Sequence, residues 1–155
     1  MHTENGYHAS CFFNIASFDD LSYGNYSRAC EFVEDEFQHK GNENGELSDF
    51  ILQVWLNSPR DYLRAVLLRA ISGLSIDIIP KCGIAAAMAG LNSGNALKIE
   101  AALSCFECWD YKDVLPELKS AKIGLGFLLS YRDAVVSQLE GEYKPINWFW
   151  VGYGG

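Results

Sequence analysis

The stretch Asp77-Ile78-Ile79-Pro80 recurs 36 residues later as Asp113-Val114-Leu115-Pro116. Aspartate is a favoured N-cap residue. Proline is tolerated in the first turn of a helix, because the first N–H groups have no helical acceptor. Each stretch therefore predicts the start of a helix, with Pro80 and Pro116 in its first turn. The earlier of these helices is expected to run to about Ala89.

Another helix is predicted in front of each stretch. Ser58-Pro59-Arg60-Asp61 is expected to open the earlier one, with Ser58 as the N-cap and Pro59 in the first helical position. Apolar residues three and four positions apart give both helices one buried face. The predicted core residues are Leu63, Val66, Leu67, Ala70, Ile71 and Leu74 in the earlier helix, and Ile99, Ala102, Leu103, Phe106 and Trp109 in the later one.

Two helices in each unit of 34 to 36 residues are typical of an α-solenoid. The residues Ala96-Leu97-Lys98-Ile99-Glu100-Ala101-Ala102-Leu103, a polar turn at Asp110 and Asp113-Val114-Leu115-Pro116-Glu117-Leu118 resemble one HEAT-type repeat. The resemblance covers about residues 58–140 and implies an all-α fold, a short right-handed αα-superhelix of helical hairpins. The period is short for HEAT repeats, so a non-repetitive helical bundle remains the alternative.

One domain is expected over residues 1–155, with an acidic helix pair at 26–57 before the repeats at 58–140. Three further apolar stripes predict helices. Their residues are Tyr26, Ala29, Cys30, Val33 and Phe37; Leu47, Phe50, Ile51, Val54 and Trp55; and, in a last helix over Phe127 to Leu139, Leu128, Tyr131, Val135 and Leu139. Residues 1–25 lack clean helical spacing and predict a short helix or an irregular N-terminal cap.

The segment 141–155 is an aromatic tail. It contains Trp148, Trp150 and Tyr153 and follows Pro145, a residue that stops helices. A solenoid needs capped ends, so the tail is expected either to cover the last repeat or to contact a partner.

Charge is distributed unevenly along the chain. Residues 1–50 contain ten acidic and two basic residues, a net charge of −8, whereas residues 51–155 contain ten of each. This balance argues against nucleic acids and anionic membranes as partners, because both need basic patches. The acidic third predicts either a solvated surface or a docking surface for a basic protein. The candidate contact residues are Glu31, Glu34, Asp35, Glu36, Glu43, Glu46 and Asp49.

Residue patterns that would indicate catalysis or metal binding are weak. Cys105-Phe-Glu-Cys108 lies late in a predicted helix, whereas a redox pair sits at a helix N-terminus, so both residues are interpreted as core cysteines. Glu36-Phe-Gln-His39 has the spacing of a di-iron ligand pair but has no second copy. His2 and His8 lie in the segment without clean helical spacing. The sequence therefore predicts no enzyme, no metal and no cofactor.

The sequence favours a cytoplasmic protein-binding module. The five cysteines are an odd number and suggest reduced thiols, and the first residues do not resemble a signal peptide. By size, charge and helical fold the chain resembles immunity proteins, which neutralise bacterial toxins, many of them basic nucleases. The alternatives are a HEAT-like scaffold subunit and, less favoured, a HEAT-like enzyme acting on nucleic acid.

Overall fold

The computed structural model describes residues 3–17, 27–124 and 126–141. Within these ranges the protein is helical and contains no β-strand, as predicted. The α-helices are α1 (Thr3–Ala16), α2 (Arg28–Phe37), α3 (Glu46–Asn57), α4 (Asp61–Ser72), α5 (Lys81–Leu91), α6 (Ala96–Trp109), α7 (Leu115–Ser120) and α8 (Gly126–Leu139). Short 3-10 helices precede α3, α5 and α7, at Glu43–Gly45, Ile76–Ile78 and Lys112–Val114.

The α-helices pack in two rows. In the first row α2, α4, α6 and α8 contact one another in that order, and in the second row α1, α3 and α5 do the same. Contacts between the rows join α1 to α2, α3 to α4, α5 to α6 and α7 to α8. The chain therefore alternates between the rows, and α5 packs more extensively on α6 than on α4.

Hydrogen bonds between neighbouring helices of a row join residues at a similar sequence separation. In the second row the thiol of Cys82 donates to the carbonyl oxygen of Ser48 at 3.7 Å, 34 residues away. In the first row Asn95 Nδ2 donates to Asp61 Oδ2 at 3.2 Å, also 34 residues away. Successive helix pairs are thus joined in both rows by a hydrogen bond that spans 34 residues.

Helix α4 is buried around most of its circumference. α6 packs along it, and two side chains of α6 reach backbone carbonyls near the end of α4. Trp109 Nε1 donates to the carbonyl oxygen of Ile71 at 3.2 Å, and the thiol of Cys105 donates to that of Leu68 at the same distance. The core residues predicted for these two helices are all buried. Burial between α4 and α6 is confirmed most directly by Leu67, Ile71, Leu103 and Phe106, each fully buried.

The start of α4 differs from the prediction. α4 begins at Asp61 with Arg60 as its N-cap, so the predictions of Ser58 as N-cap and Pro59 as first helical residue are wrong. The Ser58 hydroxyl instead donates to the carbonyl oxygen of Val54 at 2.5 Å and ends α3. Ser58 is thus the C-cap of α3, and Arg60 begins α4 without a side-chain capping hydrogen bond.

The two proline stretches also differ from each other. Pro116 is the second residue of α7, as predicted. Pro80 is the N-cap of α5, with extended backbone (φ −76°, ψ 166°), so its placement inside the first turn is wrong. Neither aspartate is an N-cap as predicted: Asp113 lies in a 3-10 turn before α7, whose N-cap is Val114, and Asp77 is not the N-cap of α5. Asp77 belongs to a 3-10 turn whose own cap is Ser75, and this turn separates it from the α-helix.

Of the two alternatives for the start of the chain, residues 3–16 form a helix, α1, and not an irregular cap. Ala9, Phe12 and Ala16 are buried at spacings of three and four residues. The Phe12 ring meets that of Phe50 of α3 edge-on, with centroids 5.4 Å apart. Two of these three residues are alanines, whereas the larger Phe13 and Ile15 lie on other faces of α1. The buried stripe is therefore hard to recognise in the sequence.

Truncating a core leucine between α4 and α6 should destabilise the protein. We expect Leu67→Ala or Leu103→Ala to lower the free energy of unfolding in urea by about 2–5 kcal/mol, because a buried leucine loses packing and leaves a cavity. Leu56→Ala is a matched control, since Leu56 is 71% exposed and surface changes usually stay within about 0.5 kcal/mol. Equal losses for the core and control variants would contradict this assignment of the core.

Candidate interaction surface

Helix α2 has one buried face and one acidic face. Ser27 caps its start, because the Ser27 hydroxyl accepts a hydrogen bond from the backbone N–H of Cys30 at 3.1 Å. Ala29, Val33 and Phe37 are fully buried. The predicted contact residues Glu31, Glu34 and Asp35 are exposed on the same helix, with Glu31 and Asp35 opposite the buried face and Glu34 at its flank. Packing of α2 against α4 thus holds these three carboxylates at the surface.

Glu36 differs from its neighbours because it is tied to the protein interior. Its Oε1 lies 3.0 Å from Nε2 of His8, and the His8 side chain is buried. The imidazole ring meets that of Phe37 edge-on at 5.3 Å between centroids. This pair joins α1 to α2, so Glu36 has a structural partner that the sequence did not indicate.

The buried environment of His8 has one unsatisfied atom. Within the described residues, His8 Nδ1 is buried and has no hydrogen-bond partner. A buried polar atom without a partner costs free energy of folding, so the Glu36 contact on the other ring nitrogen is the polar interaction that holds this imidazole. The acidic face of α2 is therefore anchored by one of its own carboxylates.

Glu34 lies against the end of α4. A Cβ atom placed on Gly73, the C-cap residue of α4, would lie 2.7 Å from Glu34 Oε2, so the absence of a side chain at Gly73 leaves room for this carboxylate. A negative charge beside a helix C-terminus is electrostatically unfavourable.

The remaining predicted acids surround the start of α3. Glu43 is exposed in the 3-10 turn before this helix, and Asp49 is half-buried in its first turn. Glu46 Oε1 accepts from Lys40 Nζ at 3.1 Å, so part of its charge is balanced locally. The structure therefore divides the predicted acids into two groups, one on α2 and one around the start of α3.

Several basic residues of the second part of the chain pair with acids of that part. Lys98 Nζ lies 2.8 Å from Asp61 Oδ1, and the hydrogen bond from Lys98 lowers the pKa of the Asp61 carboxyl. Similar ion pairs join Lys112 to Asp110 and Lys119 to Glu140. Each of these pairs balances a positive charge with a neighbouring negative charge. The excess of acidic residues lies within residues 1–50.

The two cysteines of the CxxC motif occupy different environments. Both lie late in α6, as predicted. Cys105 is fully buried, and burial raises the pKa of its thiol well above the usual value. Cys108 is exposed, so the prediction that it belongs to the core is wrong, although desolvation raises the pKa of its thiol too. Raised thiol pKa values oppose redox or metal-binding chemistry, both of which use the thiolate.

Other chemistry has little support in the part of the chain that the structure describes. No group of three or more His, Cys, Asp or Glu residues is arranged to hold a metal ion there. Across the same residues, no helix has the length and apolarity needed to span a bilayer. The aromatic residues Trp148, Trp150 and Tyr153 lie outside the described residues, as does Tyr26.

Comparisons with protein-family models, with curated proteins and with solved structures find no match to the chain.

The CxxC thiols should react slowly. Their raised pKa values mean that little thiolate forms at pH 8, so we expect a disulfide reagent to modify Cys108 more slowly than free cysteine and Cys105 only after unfolding. Peptide mass spectrometry would locate the modified residues, with Cys108→Ser as the control. Rapid modification of Cys108 followed by a Cys105–Cys108 disulfide would instead indicate a redox pair.

Proposed function

We propose that this protein is a non-enzymatic protein-binding module that docks a basic protein through the acidic surface formed by α2 and the start of α3. The observation that carries the proposal is the exposure of Glu31, Glu34 and Asp35 on one face of α2. Clustered charge of one sign accelerates association with a partner of opposite charge and adds specificity.

The biological role we propose is that of an immunity protein that neutralises a basic bacterial toxin, such as a nuclease, in the cytoplasm. Small size, the net charge of −8 and the helical fold support this role by analogy. Hydrogen bonds that span 34 residues in both rows support repeated helical hairpins as the scaffold. The competing role is a HEAT-like scaffold subunit in a larger assembly.

Affinity capture with the tagged full chain, followed by mass spectrometry, tests the proposed class of partner. We expect a basic protein whose association rate falls steeply as salt concentration rises, because screening weakens charge attraction beyond about 8–10 Å. Inhibition of that protein's toxicity on co-expression would support the immunity role. An acidic or neutral partner, or salt-independent association, would contradict docking through the acidic surface.

Reversal of two acids on α2 should slow association. We expect Glu34→Lys combined with Asp35→Lys to lower the association rate and flatten its salt dependence, whereas dissociation should change less. Fold stability should stay the same or rise slightly, since a lysine at position 34 would complement the C-terminus of α4. Glu36 is left unchanged because it binds His8.

The matched control is Glu100→Lys combined with Glu117→Lys. Both residues are exposed, on α6 and α7, so this variant changes the net charge equally but away from α2. We expect it to affect association less than the α2 reversal. Equal effects of the two variants would show that overall charge, rather than this surface, steers the partner.

A further inference from the structure

Helices α3 and α5 form an apolar groove on the second row. They run side by side from the same end, where the thiol of Cys82 donates to the carbonyl oxygen of Ser48. The groove has a volume of about 150 Å³ and is lined on α3 by Ile51, Leu52 and Trp55 and on α5 by Cys82, Ala85 and Ala89. An apolar cavity of this size can take a benzene-sized group.

The surface around the groove is unusually poor in polar side chains. Between Lys81 and Asn92, α5 contains no charged or amide side chain, yet Ala85 and Ala89 are exposed. On α3, Leu52 is 44% exposed and Leu56 is 71% exposed. A helix that is apolar all round is normally buried, and contiguous exposed apolar surface commonly marks an interaction site.

One end of the groove carries an excess of negative charge. Asp49 lies one helical turn before Leu52 on α3. Burial raises the pKa of the Cys82 thiol at the groove, and the negative charge of Asp49 raises it further. A Cβ atom placed on Gly41 would lie 3.3 Å from Cγ2 of Ile78, so the chain just before the turn holding Glu43 passes close to the turn holding Asp77. Glu43 and Asp77 are both exposed there.

Positive charge at this end is smaller. Lys81, the first residue of α5, is exposed, and Lys40 is bonded to Glu46. At the other end, the Arg64 guanidinium lies 5.4 Å from the centroid of the Trp55 ring and its Nε donates to the carbonyl oxygen of Trp55. A segment lying along the groove would therefore meet acids at the start of α3 and a cation at its end.

We propose that the α3–α5 groove binds a basic amphipathic helix of the partner protein. A bulky apolar side chain of this helix would fill the space between Leu52 and Ala85, and its lysines or arginines would lie near Glu43, Asp49 and Asp77. A helix fits because side-chain ridges of one helix pack into the groove between two others, and helix-in-groove binding uses such apolar anchors. The inference rests on the proposed function and names the element of the basic partner that docks.

The groove and the acidic face of α2 would govern different steps of binding. Exposed acids act at a distance and mainly set the association rate. A buried apolar anchor acts only after contact and mainly sets the dissociation rate, because hot-spot residues lie in desolvated pockets. Variants in the two places should therefore have separable kinetic effects.

A synthetic 18-residue helical peptide tests the groove directly. One face carries leucine and phenylalanine and the rest carries lysine, and a second peptide replaces every lysine by glutamate. We expect the full chain to bind the lysine peptide at least tenfold more tightly than the glutamate peptide in calorimetry. Failure to bind the lysine peptide, or equal affinity for both peptides, would overturn the proposal.

Two variants test whether the peptide binds in the groove. Ala85→Arg puts a bulky charge into the groove at an exposed position, and we expect it to weaken binding of the lysine peptide at least tenfold. Leu97→Ser is the matched control, since Leu97 of α6 is 40% exposed and lies in the other row. Urea unfolding would verify that both variants are folded. Equal affinities of the two variants would exclude the groove as the binding site.

Other occupants of the groove give different results. If Trp148→Ser with Trp150→Ser in the full chain tightens peptide binding tenfold or more, the aromatic tail occupies the groove and the proposal is overturned. If sedimentation shows a dimer that Ala85→Arg dissociates, a second copy occupies the groove and the proposal again fails.

The captured partner separates this inference from the proposed function. If the α2 reversal slows association but Ala85→Arg leaves dissociation unchanged, docking through the acidic surface stands and the groove proposal fails. If Ala85→Arg accelerates dissociation while the α2 reversal has no effect, the groove binds the partner and the proposed role of the α2 acids fails.

Discussion

The burial of α4 constrains the position of nearly every other helix. α4 contacts α2 and α6 within its own row and α3 and α5 across the rows, and its small and branched side chains are buried on almost all sides. Because α2 and α6 cover its flanks, only narrow strips of α4 reach solvent. The acidic face of α2 points outward for this reason, since its apolar face is used against α4.

The same arrangement keeps the two proposed contact regions on different helices. The exposed acids Glu31, Glu34 and Asp35 belong to the first row, whereas the groove belongs to α3 and α5 of the second row. The acids around the start of α3 lie at the charged end of the groove. A basic partner could therefore be attracted over a long range by one surface and be retained by the other, and the two functions would not compete for the same side chains.

Periodicity in the sequence predicts the core well because it reports a constraint that acts along one helix. Leu67, Ile71, Leu103 and Phe106 follow from spacing alone and are fully buried. Helix starts are predicted less well. Ser58 was expected to cap α4 but bonds to the helix before it, and a 3-10 turn separates Asp77 from α5. These choices depend on competing hydrogen-bond partners, which residue type alone does not reveal.

The candidate site shows the same limit. The exposure of Glu34 and Asp35 follows from their place outside the apolar stripe of α2. The contact between His8 and Glu36 joins residues 28 positions apart and could not be read from local spacing. The groove arises from two helices that lie side by side. The sequence signal that could have indicated it is the absence of charged and amide side chains from α5 after Lys81, because this segment has no amphipathic stripe.

The two-row arrangement also bears on how the molecule opens. Each helix touches mainly its neighbours, so separating α8 breaks its contacts with α6 and α7, whereas separating α4 breaks contacts with α2, α3, α5 and α6. Amide protons should consequently exchange with solvent fastest in α8 and slowest in α4 and α6, as partial unfolding proceeds inward from an end. A partner bridging α3 and α5 would slow exchange most in these two helices, which would mark its footprint without a structure of the complex.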